Sequence, residues 1–287
     1  MALIAVVVIA VLTGLFQQQD VLSMEYPAVE IPASEVRAIR IETVEHEIVV
    51  RNEDGIWRMI EPIDSPIEDP PIQVLLRRFE DLDIEAVATA EPSRYADFGV
   101  TPELGRVVTI YWSGGETELI VAGEDEDFQQ DFVRVGGDPR VFMLSRKLPV
   151  TDNPSSWRDK RIYQGDPSEI TGFAVEGPDR NYAIARQRDG SFSIDREGRV
   201  DSTFAARTLR FYSMLRADGF EDGSAQVVME DPELTVTIRR SDGETTLYFR
   251  RVGANYAVVR DDVATAFMVT APRIASIVPP LEALLAE

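Results

Sequence analysis

Residues 106–121, RVVTIYWSGGETELIV, return at 234–249 as LTVTIRRSDGETTLYF. Val108-Thr109-Ile110, Ser113-Gly114-Gly115-Glu116-Thr117 and Leu119 recur as Val236-Thr237-Ile238, Ser241-Asp242-Gly243-Glu244-Thr245 and Leu247, always at an offset of 128. Apolar and polar residues alternate on either side of each Gly-containing turn, the pattern of a hairpin with one buried face. Upstream, Asp54-Gly55-x-Trp57 matches Asp189-Gly190-x-Phe192 at an offset of 135. Downstream, Phe142-Met143-Leu144 matches Phe267-Met268-Val269 at 125. Ordered matches with a shrinking offset imply a duplication whose second copy has lost a few loop residues.

Each half reads alike. Strands are expected at 37–41, 47–51 and 57–60, followed by a helix with Asp69 as cap and Pro70 and Pro71 in its first turn. Ile72, Leu75, Leu76, Phe79 and Leu82 fall on one stripe of that helix. In the second half Asp201 or Ser202 caps, and Ala205, Leu209, Tyr212 and Leu215 form the corresponding stripe. Hairpins turning at Gly114-Gly115 and Asp242-Gly243 come next. The expected fold class is therefore α+β: two tandem copies of a module with a mainly antiparallel sheet and one principal helix, behind an N-terminal hydrophobic helix. The expected division is an anchor at 1–19, a juxtamembrane linker at 20–34, a first module at 35–150, a polar connection at 151–166 and a second module at 167–287.

The location follows from the N-terminus. Ala2 to Phe16 (ALIAVVVIAVLTGLF) is apolar apart from Thr13, and the first charge is Asp20. Such a run at the chain start reads as a membrane segment, and no Ala-x-Ala pattern follows it, so an uncleaved anchor is expected. No basic residue precedes the run, which implies a start further upstream. The expected location is the bacterial inner membrane, single-pass, with the body in the periplasm or outside the cell.

Composition excludes several functions. The net charge of −21 repels phosphate backbones and argues against nucleic-acid binding. It is uneven, with 31 acidic and 15 basic residues between Asp20 and Asp166 but 19 and 14 from Pro167 onward. The basic residues are arginines apart from Lys147 and Lys160, and there is no cysteine, so thiolate metal sites and cysteine nucleophiles are ruled out.

Gly55-x-Trp57, the Pro-rich approach to one helix, Tyr95-x-x-Phe98-Gly99-Val100-x-Pro102, the Gly123 loop, Phe132-Val133-Arg134 and Trp157-Arg158-Asp159-Lys160 are arranged in this order. From about Ser34 onward the chain thereby resembles the bacterial domain of unknown function 4340. The resemblance implies a membrane-anchored envelope protein, of a kind associated with ABC-type export systems and gliding-motility auxiliary proteins. It carries no active site.

Candidate sites are few. His46, the single histidine, lies between Glu45 and Glu47 and reads as an exposed turn residue. Glu124-Asp125-Glu126-Asp127, with Asp131 nearby, could attract calcium, but lacks the glycine and closing glutamate of an EF-hand loop and reads as a solvated acidic loop. Glu80, Asp81 and Asp83 end the first helix, where carboxylates oppose the macrodipole. The second hairpin is the most suggestive. With Asp242-Gly243 as a two-residue turn, Ile238 faces Leu247 and Val236 faces Phe249 on the core side. Thr237, Arg239, Tyr248 and Arg250 then share the outer face. Two guanidiniums beside a phenol suit a carboxylate or a partner's acidic loop, so Arg239, Tyr248 and Arg250 are the expected binding residues. The first hairpin offers Thr109, Tyr111, Glu118 and Ile120 instead.

No Ser-His-Asp set, Walker loop or Rossmann loop is present, and no metal or cofactor is expected. The expected function is a non-catalytic, membrane-anchored extracytoplasmic protein that docks onto a membrane partner such as an ABC-type export complex. The alternatives are a binding module for a small anion or polymer, and an unrecognised hydrolase. A protein partner in the envelope is expected, and membrane contact through the anchor.

Overall fold

The computed structural model describes residues 29–122, 131–196 and 198–285. The division into two compact units falls between Arg158 and Asp159.

In the first unit the strands are β1 (Val36–Glu42), β2 (Glu47–Glu53), β3 (Ile56–Glu61), β4 (Ser65–Pro66), β5 (Ile84–Thr89), β6 (Arg106–Trp112), β7 (Gly115–Val121), β8 (Phe132–Val135) and β9 (Val141–Leu144). They form one nine-stranded antiparallel sheet in the order β4-β3-β2-β1-β6-β7-β8-β9-β5. Helix α1 (Asp69–Glu80) crosses one face and buries Ile72, Leu75, Leu76 and Phe79 against Ile39, Ile41, Val108, Ile110 and Leu119. Removing one such side chain to Ala costs about 2–5 kcal/mol. Glu68 is its N-cap and makes no side-chain capping bond, so Asp69 is the first helical residue and not the cap.

The second unit has β10 (Arg161–Gln164), β11 (Ile170–Gly177), β12 (Arg180–Arg186), β13 (Phe192–Ile194), β14 (Met214–Arg216), β15 (Gly219–Phe220), β16 (Leu234–Arg240), β17 (Glu244–Val252), β18 (Asn255–Arg260) and β19 (Val263–Thr270). Its main sheet is eight-stranded, β13-β12-β11-β16-β17-β18-β19-β15, and β10 pairs with β14 apart from it. Helix α2 (Ser202–Tyr212) covers one face. Short helices α3 (Ala225–Glu230), α4 (Ala271–Ile277) and α5 (Leu281–Leu284) follow. Under α2, Phe173 meets Tyr212 and Tyr182 edge-on, with ring centroids 5.2 and 6.2 Å apart. The Tyr182 hydroxyl donates to the Pro279 carbonyl at 2.6 Å, and Tyr212 donates to that of Ile277. Both phenols satisfy their single donor in the core, and burial pushes both pKa values up.

These findings correct the expected fold class. The molecule is mostly antiparallel sheet, in assemblies of nine and eight strands, and not a pair of α+β modules each built around one principal helix. The strand segments recognised in the sequence are only part of each sheet. Strands of two to four residues, such as β4, β13 and β15, are too short to show alternation. The second unit also carries four helices among the described residues. The N-terminal hydrophobic helix falls outside the described residues.

The location is corrected as well. Among the described residues no helix is long and apolar enough to cross a membrane. The longest, α1 with 12 residues, spans about 18 Å against a hydrocarbon core of about 30 Å. The apolar run itself, with its anchor role, lies outside the described residues.

Hairpin register also differs from expectation. Val236 pairs with Leu247 and Ile238 with Thr245, while the Arg240 N–H donates to the Gly243 carbonyl at 2.8 Å. The two loop residues are therefore Ser241 and Asp242, as they are Ser113 and Gly114 in the first hairpin, where Trp112 pairs with Gly115. Gly115 and Gly243 lie just past the loops with φ of 129° and 158°, values L side chains rarely adopt, so the glycine closes the turn from one position later than expected.

Asp201 caps α2, its carboxylate accepting from the Thr203 and Phe204 N–H groups at 2.8 and 3.0 Å. Asp201→Ala should therefore lower the unfolding free energy by about 1 kcal/mol. Urea titration followed by circular dichroism measures it, and an unchanged midpoint and slope would show that the cap contributes nothing.

Candidate functional site

Relative to the expected pairing β17 is shifted by two residues, an even number that preserves which face each residue occupies. Val236, Ile238, Leu247 and Phe249 are all fully buried in the core, and Thr237, Arg239, Tyr248 and Arg250 lie opposite. The structure does not gather Arg239, Tyr248 and Arg250 into one receptor. Arg239 sits at the loop end, its Nε donating to Glu244 at 3.1 Å. Arg250 donates to the Asp231 carbonyl at 2.6 Å and pairs with the Asp231 carboxylate just after α3. Tyr248 packs against the small cluster of Val228, Ala257, Val259 and Ala266 beneath α3. Arg250 lies six residues along β17 from Glu244, the partner of Arg239, which separates the two guanidinium-bearing positions by about 20 Å.

The other candidates resolve locally. Thr43 ties the His46 turn by accepting from the Glu45 and His46 N–H groups, and the His46 side chain stays exposed with Glu45 4.0 Å away. Asp81 accepts the Asp83 N–H at 2.9 Å, which supports the left-handed Asp83 (φ 51°). Glu80 accepts the Ala33 N–H at 3.0 Å. The acidic run 124–127 lies outside the described residues. Asp131 turns inward, where its carboxylate accepts the Leu148 N–H at 2.5 Å and burial raises its pKa. Among the described residues no group of three or more His, Cys, Asp or Glu is placed to hold a metal ion.

An open depression of about 300 Å³ lies instead on the outer face of the first sheet. A 3-10 turn, Pro92–Phe98, lies over that face, ending where the Gly99 N–H bonds to the Ala96 carbonyl. It packs Tyr95 and Phe98 against Val100, Ile120, Phe132 and Val141, a second apolar cluster apart from the α1 core. Alternation in β8 sends Val133 and Val135 into the core and turns Arg134 outward, opposite Ile120 of β7. The Arg134 guanidinium lies over the Tyr95 ring, 4.5 Å from its centroid. The ring is fixed in turn, because its hydroxyl donates to the Pro139 carbonyl at 2.6 Å. A guanidinium so stacked gains about 0.5–1 kcal/mol and keeps its N–H edge available.

Two carboxylates border the depression. Asp138 is clamped by Arg140, with Nη2 at 2.7 Å and Nε at 3.0 Å. That side-chain hydrogen bonding holds the Asp138 carboxyl below the usual range despite some burial. Glu118, on β7, is exposed. Neither Glu118 nor Arg134 takes part in an ion pair among the described residues. In the sequence Tyr95 and Arg134 stand out only as parts of the motifs that carry the family resemblance. The signal that identifies them is the outward parity of Arg134 between Val133 and Val135, combined with an aromatic residue in the segment that covers this face.

The fold and the depression define a sheet-rich protein of two antiparallel units. Residues 57–226 match the sequence profile of a domain of unknown function (DUF4340), and the chain belongs to that family. Tyr95, Glu118 and Arg134 lie inside the matched span, whereas Arg239, Tyr248 and Arg250 lie beyond it. No curated protein matches the chain.

The Asp138–Arg140 clamp has a definite pH signature. A folded-state pKa below the unfolded value stabilises the fold above about pH 4, and the contribution disappears as pH falls through the folded value. Arg140→Gln should return Asp138 to the ordinary carboxylate range, with wild type and variant converging in stability at the acid end. Carboxyl-detected NMR titration reads both. An Asp138 that titrates normally in the folded wild type would refute the clamp.

Proposed function

We propose that this chain is a non-catalytic docking protein that engages a protein partner through the outer face of its first sheet, with an ABC-type export complex as the partner the family resemblance suggests. The observation that supports this reading is a separation within the molecule. The phenols with the most strongly raised pKa values, Tyr182 and Tyr212, are sealed in the core and donate to backbone carbonyls. Active sites ordinarily place such perturbed groups in the accessible cleft.

The accessible depression has the opposite character. Its guanidinium is pinned on a tyrosine, and Asp138 is held ionised by Arg140, which makes it a poor acceptor of a proton near neutrality. Fixed charges on a rigid sheet favour recognition over proton transfer. Binding of a small anion between Arg239 and Arg250 has less support, since each already holds a carboxylate of its own chain.

The test is direct. The full chain is immobilised and the purified permease–ATPase complex of an ABC exporter from the same genome is passed over it in detergent. Saturable binding is expected, weakened by Glu118→Ala combined with Arg134→Ala and left intact by Arg239→Ala combined with Arg250→Ala. No saturable binding by the wild-type chain would overturn the choice of partner.

A further inference from the structure

The depression on the first sheet also carries information about what its partner looks like. Resting on the docking reading above, we infer that it receives an extended peptide segment bearing one acidic and one basic side chain two residues apart, the acid on Arg134 and the base on Glu118.

The register sets the spacing. Ile120 pairs with Arg134, and the Gly136 N–H donates to the Glu118 carbonyl at 2.8 Å. Glu118 and Arg134 are therefore diagonal neighbours on one face of adjacent strands, with backbones about 7 Å apart. Alternate side chains of an extended peptide share a face and recur at roughly 7 Å. A free α-amino acid, whose ammonium and carboxylate sit on one carbon, is too short to reach both groups.

The local charge supports the same pairing. Arg140 neutralises Asp138, leaving one cation and one anion facing the depression without ion-pair partners among the described residues. Arg134 is held by the π face of Tyr95, so its N–H edge can accept a carboxylate in two parallel hydrogen bonds. The −21 charge of the whole chain favours the approach of a segment that is net basic, with a single acid for Arg134.

Panning a random hexapeptide display library on the full-length chain tests the inference. Sequences with Lys or Arg two positions from Asp or Glu should be enriched, and synthetic versions should bind Arg134→Ala roughly tenfold more weakly or worse. Glu118→Arg should shift the enriched pattern to an acid at both positions, a change that a folding defect cannot produce. Thermal unfolding checks that both variants are folded. Absence of enrichment, enrichment without the charge pair, or equal capture by Arg134→Ala overturns the inference. Its failure is separable from that of the docking reading, since exporter binding that these substitutions weaken, with no charge-paired peptide selected, sinks the peptide site and leaves the docking reading standing. Peptide selection as expected with no exporter binding does the reverse.

Discussion

A wide antiparallel sheet has two faces, and one helix covers only one of them. This constraint organises both units. The ladders pair most backbone groups within the sheets, and stability then depends on which apolar side chains leave water. Helices α1 and α2 solve the problem on one side with continuous stripes from Ile72 to Phe79 and from Ala205 to Tyr212. Among the described residues the opposite faces have no long helix. The first unit covers its outer face with the Pro92–Phe98 turn over Val100, Ile120, Phe132 and Val141, and the second with α3, whose Val228 packs on Ala257, Val259 and Ala266. Both covers are small relative to the sheets beneath them, and the depression beside Tyr95 is formed around the edge of the first.

The two covers have different consequences for nearby arginines. In the second unit the chain leaving α3 delivers Asp231 to Arg250, while Arg239 pairs with Glu244, its cross-strand partner at the start of β17. In the first unit the cover delivers an aromatic ring, and Arg134 stacks on it without a carboxylate among the described residues. Equivalent outer faces thus differ in whether their guanidiniums are occupied. The difference arises from the residue type that the covering segment brings, and the strand order is the same in both main sheets once β4 is set aside.

This explains which features were legible in the sequence. Side-chain parity was legible at Val236, Ile238, Leu247 and Phe249, because alternation survives a register shift of two residues. Helix stripes were legible at Leu75, Leu76, Leu209 and Tyr212, because burial on one face imposes a period near 3.6. The extent of the sheets was not, since strands such as β4 and β15 have only two residues. Nor was the pairing of Arg250, because Asp231 is 19 positions away in a segment whose path depends on α3 packing. The loop position in the hairpin was misassigned because Asp-Gly is a common two-residue turn, whereas here Ser241-Asp242 forms the loop and Gly243, just before β17, closes it against Arg240.

The charge composition gives the arrangement its remaining logic. Even if each of the 29 basic residues held one carboxylate, the excess of −21 would leave as many acids without a cation. Exposed pairs such as Arg58–Asp64 and Arg260–Asp262 contribute little each, since water and side-chain entropy offset the Coulomb gain. The excess therefore acts mainly at long range, by repelling polyanions and by steering cationic surfaces toward the molecule. Within a field of that sign, an accessible guanidinium without a carboxylate partner among the described residues is a local exception. Among the described residues its orientation comes from packing, which is the part played by the Tyr95 ring and the Pro139 carbonyl that fixes it. Orientation by packing leaves the hydrogen-bonding edge of Arg134 uncommitted, and an uncommitted edge on a rigid sheet is what distinguishes this face from the self-paired one of the second unit.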